Sequence, residues 1–189
     1  MGTIRVHEFI TLDGVIDDPK WTFGYPFDQK MGEAIGALMG SCSALLLGRR
    51  TFEEFAPAWS GKTAAEDPGA PFMNDTAKYV VSATLRDPGW ANSTVIGGYR
   101  PDAIERLKNE IDGGIYVSGS GTLVRAMLAD GLVDELHLFV YPLALGSGSR
   151  LFAEDGTTAK LTLTGCESYD GGIVHLSYRS AAEGAGAGE

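Results

Sequence analysis

Short apolar or alternating runs, separated by stretches with helical periodicity, organise the first two-thirds of the chain. The runs predict strands at 4–11, 43–47, 78–82, 94–96, 115–118 and 135–141. Apolar residues at helical spacing, or a capping residue or proline at the first turn, predict helices at 28–39, 52–55, 101–111 and 123–128. The breaker-rich stretches 17–27 and 60–75 are predicted to be loops. Strands that alternate with helices are typical of a parallel sheet.

The last part of the chain has a different pattern. Residues 161–164 and 173–178 both alternate, and Asp170-Gly171-Gly172 lies between them, which predicts an antiparallel hairpin. We therefore expect an α/β fold of three αβα layers, with a mostly parallel central sheet and an antiparallel C-terminal edge. Residues 1–180 are predicted to form one domain, and the Gly- and Ala-rich residues 181–189 a disordered tail.

Composition narrows the class of protein. With 189 residues, 44% of them hydrophobic, the chain is long enough to bury the core of one globular domain. A net charge of −10 argues against a nucleic-acid surface. No run approaches the roughly 20 apolar residues of a membrane span, and the N-terminus has no signal-peptide pattern, so we expect a cytoplasmic protein. The histidines, at positions 7, 137 and 175, are scattered and there are two cysteines, so no metal site is predicted.

Glycines, hydroxyl groups and two arginines follow the predicted strands. They are Gly48, Arg49, Arg50 and Thr51 after the second strand, Ser82 after the third, and Gly119, Ser120, Gly121, Thr122 and Leu123 after the fifth. Because the carboxyl ends of parallel strands meet at one sheet edge, these residues are expected to lie together. Glycines and a helix start suit a pyrophosphate, and arginine suits a phosphate monoester. Taken singly, the two glycines are more often a tight turn, the two arginines an exposed pair, and Thr51 an ordinary helix cap.

Five segments together resemble one known family. They are T-L-D-G (11–14), L-L-L-G-R-R-T-F (45–52), K-Y-V-V-S (78–82), V-S-G-S-G-T-L (117–123) and G-L-V-D-E-L (131–136). Residues 3–180 resemble the dihydrofolate-reductase-like superfamily, as a stand-alone protein similar to the reductase (C-terminal) domain of bifunctional riboflavin-biosynthesis deaminase-reductases. The resemblance implies that NADPH binds, with its pyrophosphate on the 119–123 turn. It also implies that Arg49 and Ser82 hold the 2′-phosphate, and that Arg50 and Thr51 lie near the pyrophosphate.

The same resemblance places the substrate against residues 15–28. Trp21 and Phe27 would then wall a flat heteroaromatic ring, although packing of a long loop over the core explains them equally well. Asp28 would hold the substrate and relay a proton, or it would simply cap the following helix. Both interpretations of each residue stay open at this point.

The activity implied is that of an NADPH-dependent oxidoreductase, which transfers hydride to a small heterocycle as 5-amino-6-(5-phosphoribosylamino)uracil reductases do. The alternatives are dihydrofolate reduction and a non-catalytic NADPH-binding module. Two departures weaken the phosphoribosyl assignment: His7 stands where the pathway reductases usually carry lysine, and Phe55 stands about where they carry an acid. The zinc-deaminase pattern is also missing from the sequence. The family and the apolar stretch 136–143 imply a homodimer.

Overall fold

A single sheet forms the centre of the molecule in the computed structural model, which describes residues 1–152 and 158–180. Its strands are β1 (Thr3–Thr11), β2 (Cys42–Gly48), β3 (Ala77–Val81), β4 (Ser93–Val95), β5 (Gly114–Ser118), β6 (Glu135–Tyr141), β7 (Leu161–Ser168) and β8 (Val174–Ser180). The α-helices are α1 (Gln29–Gly40), α2 (Arg49–Trp59), α3 (Ala70–Asp75), α4 (Pro101–Glu110) and α5 (Gly121–Ala129). Two short 3₁₀ helices occupy Pro19–Gly24 and Asp170–Gly172.

The strand order is β4-β3-β2-β5-β1-β6-β8-β7. Every pair from β4 to β6 is parallel, whereas β8 runs antiparallel to both β6 and β7. The predicted mostly parallel sheet with an antiparallel C-terminal hairpin is therefore confirmed. Strand β2 shows why the pattern was informative, since the consecutive residues 44–47 are fully buried, as expected of a strand covered on both faces.

Helices cover the two faces of the sheet and complete the three αβα layers. On one face, Ile104 of α4 and Val124 and Met127 of α5 share a core cluster with alternate residues of β1, β5 and β6. On the other face, side chains of α1, α2 and α3 pack on β2, β3 and β5. A third cluster joins α1 to the ends of β6 and β8. None of the helices within the described residues has the length and apolar character to cross a bilayer.

The helices differ from the prediction in four places. Helix α2 covers Arg49–Trp59 rather than 52–55, and α5 begins at Gly121 rather than at residue 123. The stretch 60–75, predicted to be a loop, contains α3, whose Ala70 and Met73 are buried three positions apart. The stretch 17–27, also predicted to lack an element, contains the 3₁₀ helix Pro19–Gly24. Tertiary packing decides these short or polar helices, because their own periodicity is too weak to predict them.

The apolar stretch that favoured a dimer has an explanation within one chain. Strand β6 lies between β1 and β8, so Leu136 and Phe139 are fully buried inside the sheet and its covering layers. The apolar stretch is therefore no evidence for a dimer, and the homodimer remains a prediction from the family alone. The predicted tail at 181–189 lies outside the described residues.

Candidate dinucleotide site

Two helix N-termini converge on one serine at the carboxyl edge of the sheet. The Ser120 Oγ accepts a hydrogen bond from the Gly48 N–H at 2.7 Å and donates to the Thr51 Oγ1 at 2.8 Å. It thereby joins the start of α5 to the start of α2, and no side chain caps either helix. The first N–H groups of a helix have no partner inside it, and the helix dipole attracts anions. This pair of N-termini is suited to a pyrophosphate.

Glycine is required where the turn after β5 meets α2. Gly119 has a φ of +68°, and a Cβ there would lie 3.3 Å from the Thr51 Cγ2. A Cβ at Gly48 would approach the Ser120 Oγ to 3.0 Å. Ser120 itself has a φ of 69°, an uncommon conformation for a residue with a side chain. The backbone therefore accepts strain at Ser120 in order to place its hydroxyl between the two helices.

Gly121 has a packing role in addition to the one predicted. A Cβ at this position would lie 2.7 Å from the Ile16 Cδ1, on the segment that follows β1. Thr122 is exposed and Leu123 is buried in the core. Close approach to a phosphate thus remains a prediction for Gly121, beside a steric reason that the structure itself supplies.

The two arginines differ in their surroundings. The Arg49 Nη1 donates to both carboxylate oxygens of Glu53, at 3.0 and 2.8 Å, on the exposed side of α2. Arg50 is exposed and makes no ion pair within the described residues. An exposed i,i+4 pair is worth about 0.3–0.5 kcal/mol, against roughly 1.5–3 kcal/mol for a charged hydrogen bond. A phosphate can therefore displace Glu53 from Arg49.

Ser82 lies beside Arg49 at the sheet edge, because Gly48 and Val81, the residues before them, are paired across β2 and β3. The Ser82 Oγ accepts the N–H groups of Thr84 and Leu85, at 3.2 and 2.9 Å. Both bonds use the oxygen as an acceptor, so the hydroxyl proton can be donated to a phosphate oxygen. The structure brings Arg49 and Ser82 to one edge without a direct contact between them.

Glu8 is a buried acid that the sequence analysis missed. Its side chain is 4% exposed, and the Gly119 N–H faces its carboxyl group, where it lowers the pKa. The Glu8 Oε1 has no hydrogen-bond partner among the described residues. Burial raises the pKa of Glu8 to about 8, so the group is neutral at pH 7. The sequence held one signal: Glu8 is the only acid on a face that Ile4, Val6 and Ile10 make apolar.

Asp28 caps α1. One carboxylate oxygen accepts the N–H groups of Lys30 and Met31, at 2.7 and 3.1 Å. The other accepts the Asp170 N–H at 2.8 Å and so ties α1 to the turn between β7 and β8. These bonds, that from Asp170 first, hold the pKa of Asp28 below its usual range. The structure thus shows the cap, and the catalytic role stays a prediction.

The aromatic segment packs against the end of β6. The Trp21 Nε1 donates to the Asp17 carbonyl oxygen at 3.3 Å, and its ring meets the edge of Tyr141 at 5.1 Å. Phe27 is 78% exposed and lies over α1, where a Cβ at Gly32 would come within 2.6 Å of its ring. Neither ring lines the cavity of about 410 Å³ at the ends of β1 and β6. That cavity is lined by residues 10–14, 138, 140, 150 and 152.

Comparison with known proteins identifies the family. Residues 2–175 match the RibD C-terminal domain. The chain belongs to this family. The protein YyaP of Bacillus subtilis is 24% identical over 182 residues, which cover 89% of this chain and 90% of YyaP.

Solved structures support the same assignment of the fold. A Shewanella sp. PV-4 protein with a proposed role in riboflavin biosynthesis superimposes with a TM-score of 0.78 at 22% identity, over 96% of this chain and 99% of that one. A deaminase/5-amino-6-(5-phosphoribosylamino)uracil reductase from Thermotoga maritima gives 0.64 at 15% identity, over 95% of this chain and 57% of that one. The fold is that of RibD-type reductase domains.

One departure from the riboflavin-pathway reductases has a clear consequence in this RibD C-terminal domain. His7 is buried, and its Nδ1 shares a hydrogen bond with the Tyr116 hydroxyl at 2.6 Å. Burial lowers the pKa of His7 to about 3, so the ring is neutral at pH 7. His7 therefore contributes no positive charge at this position.

The expectation that the histidines are scattered is wrong in three dimensions. His7, His137 and His175 lie on the adjacent strands β1, β6 and β8, and the His137 Nδ1 and His175 Nε2 are 3.1 Å apart. Strand order brings together residues that are far apart in the sequence. In the part of the chain that the structure describes, no group of three or more histidine, cysteine or acidic side chains is arranged to hold a metal ion.

Proposed function

We propose that this protein is an NADPH-dependent reductase that acts on a small heterocyclic substrate. The observation that carries the proposal is the convergence of α2 and α5 on Ser120, at the sheet edge where α/β proteins bind nucleotides. The fold is already that of a reductase domain, and the bound cofactor would supply the hydride from its nicotinamide ring.

The residues present fit a dinucleotide phosphate. Residues 48–51 and 119–123 offer helix N–H groups and three hydroxyls, and their glycines leave no room for extra side chains. Arg49 and Ser82, neighbours at the edge, would hold the 2′-phosphate through a guanidinium and a hydroxyl donor. Arg50 would add charge near the pyrophosphate.

The substrate is proposed to be a heterocycle without a phosphoribosyl group. A neutral, buried His7 gives no cation for a substrate phosphate, and the stretch after Thr51 carries Phe55 where an acid is expected. Trp21 and Phe27 stay the predicted substrate contacts, and the variant Asp28→Asn separates the substrate role of Asp28 from its cap. The protein would orient the ring and exclude water from it.

Cofactor choice is tested by titrating the reduced cofactor's fluorescence with protein. We expect NADPH to bind ten- to a hundredfold more tightly than NADH, because a charged bond to the 2′-phosphate is worth roughly 1.5–3 kcal/mol. Arg49→Ala should remove this preference and leave NADH binding unchanged. Arg106→Ala is the matched control, since Arg106 pairs with Asp102 in the same exposed i,i+4 geometry on α4. Equal affinities for the two cofactors would contradict the proposal.

Turnover is tested by NADPH oxidation with a panel of pyrimidines, pteridines and phosphoribosyl pyrimidines. Oxidation with an unphosphorylated heterocycle is the expected result. Tight binding without oxidation of any of them would make the chain a nucleotide-binding module. Preference for the phosphoribosyl compounds would contradict the argument from His7.

A further inference from the structure

Glu8 lies directly below the proposed dinucleotide turn. His7 and Ser118 are the last residues paired between β1 and β5, so Glu8 is level with Gly119, where the chain leaves the sheet. Strand β1 continues beside β6 as far as Thr11. The acid therefore lies buried in the sheet at the level of the Gly119 turn.

The surroundings of Glu8 are apolar and its carboxyl group is incompletely bonded. Val6 and Ile10 on β1 and Leu138 on β6 flank it on its own face of the sheet. The Gly119 N–H faces the carboxyl group, and the Oε1 is a buried atom without a hydrogen-bond partner among the described residues. A buried carboxylate in such a setting would be strongly disfavoured, so the neutral acid is the form that the fold accepts.

No cation among the surrounding groups compensates a charge on Glu8. His7 on β1, Tyr116 on β5 and His137 on β6 alternate onto the opposite face of the sheet. Arg125 of α5 donates instead to the Arg150 carbonyl oxygen and to the Thr122 hydroxyl. Deprotonation would therefore place an uncompensated negative charge under the turn.

We infer that Glu8 is a positioning residue of the dinucleotide turn that acts as the neutral acid, so that its deprotonation weakens cofactor binding. This inference rests on the proposed function. The Gly119 N–H by itself favours the carboxylate, and burial outweighs it, so the turn rests on the neutral acid. As a carboxylate, Glu8 repels the pyrophosphate that the next N–H groups of α5 would hold.

The size of the effect follows from distance. The N–H of Gly121 is two residues from Gly119, within about 8 Å at 3.8 Å per residue, which puts a bound phosphate roughly 10 Å from Glu8. At an effective dielectric constant of about 20, one pair of unit charges at that distance changes affinity roughly tenfold. The two charges of a pyrophosphate bring the expected loss to between ten- and a hundredfold.

The experiment is an NADPH titration by fluorescence at constant ionic strength, between about pH 7 and pH 9.5, a range that spans the predicted titration of Glu8. In the unmodified protein the dissociation constant should rise ten- to a hundredfold across this range. Glu8→Gln, which keeps the shape and cannot ionise, should give a constant affinity. Glu110→Gln, which removes an exposed carboxylate at the end of α4, is the matched control and should keep the full pH dependence.

A second measurement keeps the inference testable if Glu8→Gln folds poorly. Calorimetric titration of the unmodified protein at about pH 8.5, in buffers of different ionisation enthalpy, should show proton uptake when NADPH binds, because the neutral acid is selected. NADPH binding without proton uptake, or a pH dependence of binding in Glu8→Gln equal to that of the unmodified protein, would overturn the role of Glu8 and leave the proposed function standing. Failure to bind NADPH even at pH 7 would instead remove the proposed function, and this inference with it.

Discussion

Replacing Glu8 by glutamine should stabilise the protein, and the gain should grow with pH. Glutamine keeps the side-chain length and can accept the Gly119 N–H, but it has no proton to lose. The prediction needs no cofactor, so it tests the chemistry of the buried acid separately from any ligand.

The magnitude follows from the pKa of Glu8, which burial raises from an ordinary 4.5 to about 8. Between these values the folded chain holds a proton that the unfolded chain has released, so stability falls as pH rises. Each pH unit costs ~1.4 kcal/mol, and the whole interval about 5 kcal/mol. The pH-dependent part of the free energy of unfolding that Glu8 contributes is thus fully present below about pH 4.5, and it is lost by about pH 8.

The assay is the melting temperature of both proteins at about pH 5.5 and pH 7.5, where the stability difference should change by about 2.7 kcal/mol. For a chain of this size that corresponds to roughly 5–10 °C. Comparing the change rather than the absolute difference cancels any packing cost of glutamine itself. A difference between the variants that is the same at both pH values would refute the reasoning.

Three further substitutions test other contacts of the site. Gly121→Val should lower both the melting temperature and NADPH affinity. Adding Ile16→Ala removes the side chain that the new valine would meet, so it should restore the melting temperature but not the affinity. Recovery of both would show that Gly121 serves packing alone. Asp28→Asn should lower the melting temperature, because the amide cannot accept every backbone N–H that the carboxylate accepts, and it should leave NADPH oxidation intact. Loss of oxidation at an unchanged melting temperature would show a catalytic acid instead. His7→Gln should make the protein less sensitive to acid, because the lowered pKa of His7 reduces the free energy of unfolding by about 2 kcal/mol between about pH 6.5 and pH 5. The melting temperatures of the two proteins test this, and an equal decrease in the variant would contradict it.

Local sequence predicted those parts of the molecule that local patterns determine. The run before Gly48 indicated a doubly covered strand, the alternation around 161–178 indicated the hairpin, and the residues after β2 and β5 indicated the edge at which α2 and α5 meet. The same information could not place Ser120 between Gly48 and Thr51. That contact depends on β2 and β5 being neighbours, which sequence spacing does not encode.

Long-range register explains the other omissions. Glu8 was not set apart within the run 4–11, whereas β1 is covered on both faces, and that burial alters the pKa of the acid. The three histidines were too far apart in sequence to be grouped, yet β1, β6 and β8 are adjacent. In both cases the residue types were visible, and the strand order that gives them their surroundings was not.

The two acids near the site have opposite environments, and this bears on the proton that the proposed hydride transfer would require. Asp28 is bonded by three backbone N–H groups that favour its carboxylate, so it holds no proton to donate at neutral pH. Glu8 keeps its proton but is buried beneath the turn, out of reach of a substrate in the crevice. Environments that separate two pKa values in this way assign different roles to the two groups. Asp28 then fixes α1 to the C-terminal hairpin, and in the proposed reductase Glu8 would set the charge below the cofactor and solvent would supply the proton.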